Sequence, residues 1–169
     1  LAARFDVSVE TMRRDLGRLA EAGLIQKVHG GAKPLSLHSE GSFQERMAER
    51  TGAKEAIGRK LAQVVRPGDT IFIDTGSTTL IAAAALTGLA GLTVITNSLG
   101  IAQVFGRALG QVTVYLLGGA YGADNGQTVG PMAIEQIGRF QADHAVLTVA
   151  GLDPEAGAMD SDFDEAQVA

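Results

Sequence analysis

The sequence predicts an α/β protein: a short helix and β-ribbon segment followed by a mostly parallel α/β sheet domain. From residue 70 onward, short and almost continuously apolar segments alternate with helical ones, the pattern of strands buried on both faces beneath crossover helices. Composition agrees, since 46% hydrophobic and 20% charged residues with 22 glycines describe a globular, glycine-punctuated chain, not a disordered or fibrous one.

Residues 1–5 read as the end of a helix, followed by a turn at Asp6 and Val7. Ser8 suits an N-cap, because its hydroxyl can accept a free first-turn amide, and Glu10 complements the helix dipole. Val9, Met12, Leu16 and Leu19 form one apolar stripe, and Gly23 is placed as the helix stop. Residues 24–29 are short and partly β-branched and run into Gly30-Gly31, which predicts a small β-ribbon. Residues 33–42 hold Pro34, three serines and Gly41 without periodicity, a linker. A long helical pattern fills 43–65 and ends at the turn Arg66-Pro67-Gly68-Asp69. Strands are then expected at 70–74, 92–96, 112–117 and 145–150, with helices at 78–86, 101–109 and 131–140. The organisation expected is residues 1–32, a linker at 33–42, and a sheet domain at 43–169. Leu1 and Ala169 both fall inside helical patterns, so the chain is expected to be a fragment.

Several function classes are set aside. The absence of cysteine removes disulfides and thiolate chemistry, and His29, His38 and His144 lack ligand spacing, so neither a metal nor a cofactor is expected. No apolar run approaches the roughly 20 residues of a membrane helix, and no signal peptide opens the chain, which points to a cytoplasmic protein without a membrane partner. The net charge of −5 conceals a segregation: residues 1–60 carry eleven Lys/Arg against eight Asp/Glu, and residues 61–169 three against eleven. A local basic segment can still bind phosphate, because charges are screened over about 8 Å at physiological salt.

In the first helix Thr11, Arg14 and Arg18 lie opposite the apolar stripe, with Arg13 beside them. Such a face can set side chains against base edges and phosphates, since the arginine fork donates two parallel hydrogen bonds to either. On composition alone the solvated face of an ordinary amphipathic helix is the better reading, since most charged helix faces only meet water.

In the later domain, the segment 70–74 runs into Thr75-Gly76-Ser77-Thr78-Thr79 and then a helix. Helix-start amides, a glycine and several hydroxyls can cradle phosphate without a lysine. A plain cap by Ser77 or Thr78 fits equally, and both readings stay open. Neither the Walker pattern nor a GxGxxG opening is met, which argues against ATP and dinucleotides. Thr96-Asn97-Ser98 and Leu117-Gly118-Gly119 end two later strands, and loops at equivalent strand ends can converge on one crevice. The run 160–165 lacks the glycine of a calcium loop, so Asp160 or Asp162 is expected to cap a helix beginning near Phe163.

The string from Val7 to Ala32, VSVETMRRDLGRLAEAGLIQKVHGGA, resembles the DeoR family of bacterial regulators, whose recognition helix and wing follow this spacing. The resemblance continues through Phe43-Gln44-Glu45-Arg46, Lys54 to Gly58, Asp74 to Thr79, Thr96 to Ser98, Leu117 to Gly119 and Gly151 to Pro154. It implies a winged helix-turn-helix whose first helix precedes Leu1, and a sheet domain similar to ribose-5-phosphate isomerase and glucosamine-6-phosphate deaminase. It further implies that Ser8, Thr11, Arg13, Arg14 and Arg18, with Lys27 and His29 of the wing, approach a double-stranded DNA operator. Gly76, Ser77, Thr78 and Thr79 would hold the phosphate of a sugar-phosphate effector. Asp74, Thr75, Thr96, Asn97, Ser98, Gly118, Gly119 and Asp160 would complete that site. The expected function is a homo-oligomeric repressor without catalytic residues. The alternative is a sugar-phosphate isomerase or deaminase, against which stand the recognition helix and the lack of an evident His or Lys base beside the phosphate loop.

Overall fold

A computed structural model describes residues 2–5, 7–22, 25–28, 31–34, 41–108, 110–155, 157–160 and 162–169. The chain divides into two compact units, Leu1–Ser39 and Glu40–Ala169.

In the first unit a 3-10 turn, Ala2–Arg4, precedes helix α1, Val9–Glu21. Ser8 caps α1, its Oγ accepting the Thr11 amide at 3.0 Å. Along the apolar stripe Met12 and Leu16 are half-buried, whereas Val9 and Leu19 stay exposed. The antiparallel ribbon pairs β1, Ile25–Val28, with β2, Gly31–Pro34, Ile25 opposite Pro34. The expected stop at Gly23, and Leu24, His29 and Gly30 of the ribbon, lie outside the described residues, as does most of the 33–42 linker.

The second unit opens with a departure from expectation. The single helix anticipated over 43–65 is two helices, α2, Phe43–Ala48, and α3, Thr51–Leu61. Glu49 is extended and Arg50 is left-handed at φ 49°, so the ladder stops between them. A capping box starts α2: Ser42 Oγ accepts the Glu45 amide, and the Glu45 carboxylate accepts the Ser42 amide at 2.8 Å.

Four parallel strands form the sheet: β3 (Thr70–Ile73), β4 (Thr93–Thr96), β5 (Thr113–Leu116) and β8 (His144–Val146). Their order is β5-β4-β3-β8, so β3 and β4 are central and buried, while β5 is an exposed edge. Helix α4, Ser77–Ala84, links β3 to β4, and α5, Leu99–Gly106, links β4 to β5. Period-two alternation sorts the apolar side chains. Ile71, Ile73 and Val94 face a core with Val65, Ala83, Leu86, Ile101 and Phe105, whereas Phe72 and Ile95 face Leu117, Ile137 and Phe140.

Two antiparallel hairpins not anticipated from the sequence complete the unit. Strand β6, Ala120–Gly122, pairs with β7, Gln127–Val129, ahead of α6, Pro131–Ile137; β9, Gly151–Asp153, pairs with β10, Gly157–Met159. Helix α7, Phe163–Val168, is capped by Asp162, whose Oδ1 accepts the amides of Asp164 and Glu165. Strand β8 is shorter than the expected 145–150: the chain leaves the sheet after Val146, and residues 148–150 become a wall of the site.

Candidate functional site

The exposed face of α1 carries Arg13, Arg14 and Arg18. Arg13 pairs with Glu10 at 3.7 Å, and Glu10, Thr11, Arg13 and Arg14 border a shallow hollow. The hydroxyls of Ser8 and Thr11 lie 2.8 Å apart, so both sit at the helix start. Lys27 belongs to β1, opposite Ala32, and His29 lies outside the described residues.

In the sheet unit the neighbours of β3 are β4 on one side and β8 on the other. Their carboxyl ends flank a topological switch point, where open parallel sheets leave a crevice. There lies a cavity of about 100 Å3. Residues 75–78 form one wall and residues 148–150 a second, while Arg46, Asn125, Asp160 and Glu165 close the rest.

The loop from β3 to α4 is held by main-chain bonds. The Thr75 amide donates to Asp74 Oδ1 at 2.7 Å and to Asn97 Oδ1 at 3.1 Å, and Thr148 Oγ1 donates to the Thr75 carbonyl at 3.1 Å. Gly76 is required by close approach, since a Cβ there would lie 2.4 Å from Thr148 Oγ1. It is the N-cap of α4 and offers no side-chain cap, so neither Ser77 nor Thr78 caps the helix. First-turn amides have no partner within their own helix and carry the positive end of its dipole.

Expectation is corrected on one point, for a lysine does stand beside this loop. Lys54 Nζ donates to Ser77 Oγ at 3.1 Å and also bonds the Arg46 carbonyl. Two features bring it there. The break at Arg50 leaves the end of α2 open to it, and Gly58 lets α3 approach α4 so closely that a Cβ would lie 2.9 Å from Ala82 Cα.

Of the remaining residues singled out from sequence, Asp160 lines the cavity, whereas Asp74, Thr79, Thr96, Asn97, Ser98, Gly118 and Gly119 do not. Asp74 is buried beneath the loop, and Thr79 Oγ1 donates to the Gly76 carbonyl at 3.0 Å. Thr96 Oγ1 accepts the Ser98 amide, and Ser98 caps α5. Asn97, fully buried, also donates through Nδ2 to the Thr128 carbonyl at 3.3 Å, tying the loop to the β6–β7 hairpin. Gly118 donates its amide to Gln136 Oε1, and at Gly119 a Cβ would lie 2.5 Å from the Val129 carbonyl oxygen. Asn97 and Gly119 thus meet the hairpin, and of the three loops expected to converge only 75–78 lines the cavity.

That hairpin also supplies Asn125, which sequence reasoning missed with Arg46, Lys54, Thr148 and Glu165. Asn125 Oδ1 accepts Arg46 Nη2 at 2.6 Å, and its Nδ2 donates to Glu165 Oε1. Gln127 Nε2 donates to the same oxygen at 2.5 Å. Asn125-Gly126 is a turn signal readable in the sequence, but nothing there says what the turn faces.

The carboxyls of the site are perturbed. Burial pushes Asp74 up to about 7, opposed by its bond from the Thr75 amide and reinforced by the charge of Glu165. Glu165 is likewise raised by burial, against the lowering effect of Asn125 and Gln127, with Asp160 and Asp162 adding repulsion.

Comparison with known proteins follows the same division of the chain. A model of the DeoR-like helix-turn-helix domain matches residues 1–37, and a model of the DeoR C terminal sensor domain matches residues 49–169. The glycerol-3-phosphate regulon repressor of Escherichia coli (strain K12) is 34% identical over 165 residues, covering 98% of this chain and 65% of its own. The HTH-type transcriptional repressor CsqR of the same strain is 36% identical over 168 residues, covering 99% and 64%. The transcriptional repressor AccR of Agrobacterium fabrum is 35% identical over 158 residues, covering 93% and 61%. The chain thus spans a little under two thirds of the length of these relatives.

Proposed function

Since the chain belongs to the DeoR family of transcriptional regulators, we propose that it acts as a DNA-binding repressor whose hold on its operator is controlled by a phosphorylated sugar or related metabolite. The observation that carries the effector class is the meeting of the 75–78 loop and the first turn of α4 at one cavity, with the Lys54 ammonium bonded to Ser77 of that loop. Main-chain donors in a recess, on a loop that holds a fixed cation, suit a phosphate ester. The Escherichia coli relative is named for glycerol 3-phosphate, a compound of this class.

In this reading residues 1–32 hold the DNA, residues 33–42 form the junction and residues 43–169 sense the effector. Ser8, Thr11, Arg13, Arg14 and Arg18 approach the duplex from α1, with Lys27 and His29 of the ribbon near its backbone. The effector must prefer one arrangement of the protein by about 1–3 kcal/mol to switch it. Symmetric half-sites favour a homo-oligomer, working in the cytoplasm where the operator is. The isomerase or deaminase alternative gains one argument from Lys54, a base candidate beside the loop. Turnover of aldose phosphates is its test.

The regulator reading is tested by selecting bound duplexes from a pool of bacterial genomic fragments, then adding a panel of sugar phosphates to the complex and following its anisotropy. Release by one phosphate ester is expected. Variants Ser77→Ala and Thr78→Ala should still bind DNA but need at least about tenfold more ester for release. Equal release from the variants, or no retained duplex, would refute it.

A further inference from the structure

The two oxygens of Glu165 are in different situations. Oε1 accepts the amides of Asn125 and Gln127, and Gln127 is itself buried at 5% exposure, so the carboxyl group is fixed in orientation. Oε2 accepts no hydrogen bond among the described residues, and Glu165 lines the same cavity as the 75–78 loop. An acceptor is thus held ready in a recess that the donors of the 75–78 loop, Arg46 and Asp160 also line. Such an arrangement is adverse to a bare phosphate, because an anion in this cavity of about 100 Å3 meets two carboxylates, Asp160 and Glu165, against one lining cation, Arg46. It becomes favourable when the phosphate is attached to a carbon skeleton carrying a hydroxyl, whose proton Oε2 can accept as a charge-assisted bond.

We propose that Glu165 is the specificity-determining residue of this cavity, its Oε2 accepting a hydroxyl of a phosphorylated polyol or sugar while its charge turns away phosphate that lacks one. Resting on the phosphate reading of the 75–78 loop, this adds what the rest of the effector must carry. Rejection of inorganic phosphate is what a sensor needs in a compartment rich in it. Selectivity then comes from an element repulsive to the wrong ligand as well as attractive to the right one.

The test measures dissociation constants of the full chain for inorganic phosphate, ethyl phosphate, glycerol 3-phosphate, fructose 1-phosphate and glucose 6-phosphate by calorimetry, with melting curves to verify folding. In Glu165→Gln the amide keeps its oxygen toward Asn125 and Gln127 and turns its NH2 into the cavity. Opposite changes are expected: hydroxylated esters weaken by about tenfold or more, while inorganic and ethyl phosphate tighten. Glu165→Asp, which keeps the charge but withdraws the oxygen, should weaken the esters and still reject inorganic phosphate. A purely structural role would move all five ligands the same way, and that result would overturn the assignment. So would a wild-type protein that binds inorganic phosphate as tightly as every hydroxylated ester, although the phosphate loop itself would then stand. Failure of all five ligands to bind the wild type would remove both readings together.

Discussion

Replacing Asp74 by asparagine should flatten the dependence of stability on pH. The Asp74 carboxyl is moved from 3.8 to about 7 mainly by burial, which corresponds to about 4 kcal/mol against the ionised form. Below about pH 3.8 the group is neutral in folded and unfolded chains alike and contributes no difference. As pH rises from there toward about 7, the unfolded chain releases a proton that the folded chain keeps, so stability falls by about 1.4 kcal/mol per pH unit. Above about 7 the cost is constant. Between about pH 4.5 and about pH 8 the wild type should therefore lose about 3 kcal/mol through this residue, whereas the Asp74→Asn variant has nothing to ionise there and loses none. Urea unfolding of both proteins at the two pH values measures the difference directly, because Glu165 and the other titrating groups are common to both. The carboxamide oxygen can still accept the Thr75 amide, so the loop should survive. Parallel pH profiles for the two proteins would refute the reasoning, since they would mean that the buried carboxyl is ionised at no cost.

The remaining predictions concern the scaffold. Gly58→Ala should lower stability by up to about 2 kcal/mol in urea, because overpacking of about 1–3 kcal/mol against the Ala82 backbone is offset by only ~1 kcal/mol of helix propensity; a higher midpoint would contradict the close helix contact. Asp69 accepts the Arg66 amide at 2.8 Å and lies 3.0 Å from His144 Nε2, and these partners, the amide first, hold its carboxyl below the ordinary value. Its contribution is present above about pH 3.8 and fades as the pH falls through the lowered value, so Asp69→Asn should destabilise near neutrality and converge with the wild type in acid. Thermal unfolding at both pH values checks this, and a deficit that persists in strong acid would count against it.

Much of the scaffold could be read from residue order because its causes are local. Ser8 and Asp162 cap helices through hydroxyl or carboxylate oxygens two or three residues from the amides they serve. Strands β3, β4 and β5 were legible to within one or two residues, as runs of β-branched and apolar side chains bounded by glycine and polar turns. The break at Arg50 was not legible, because Glu49, Arg50 and Thr51 are all compatible with a helix interior and neither Gly nor Pro marks the spot. The hairpins escaped for a different reason: three-residue strands are too short to show an alternation. Around the cavity, residues 75–78 were visible as a loop at a strand end. Arg46, Lys54, Asn125, Thr148 and Glu165 come from five other stretches of chain, and only tertiary packing brings them there.

The order of the strands also has a meaning in time. Thr148 stands 73 residues after the Thr75 whose carbonyl it holds, and β8 joins a sheet whose other three strands are all synthesised earlier. On the ribosome, at roughly 5–20 residues per second, the 75–78 loop emerges several seconds before the segment that faces it. Until then β3 presents an open edge and the loop lacks its opposite wall. A nascent chain halted before Val146 would carry all of residues 75–78 and none of residues 148–150, so the cavity exists only once the later wall has been made.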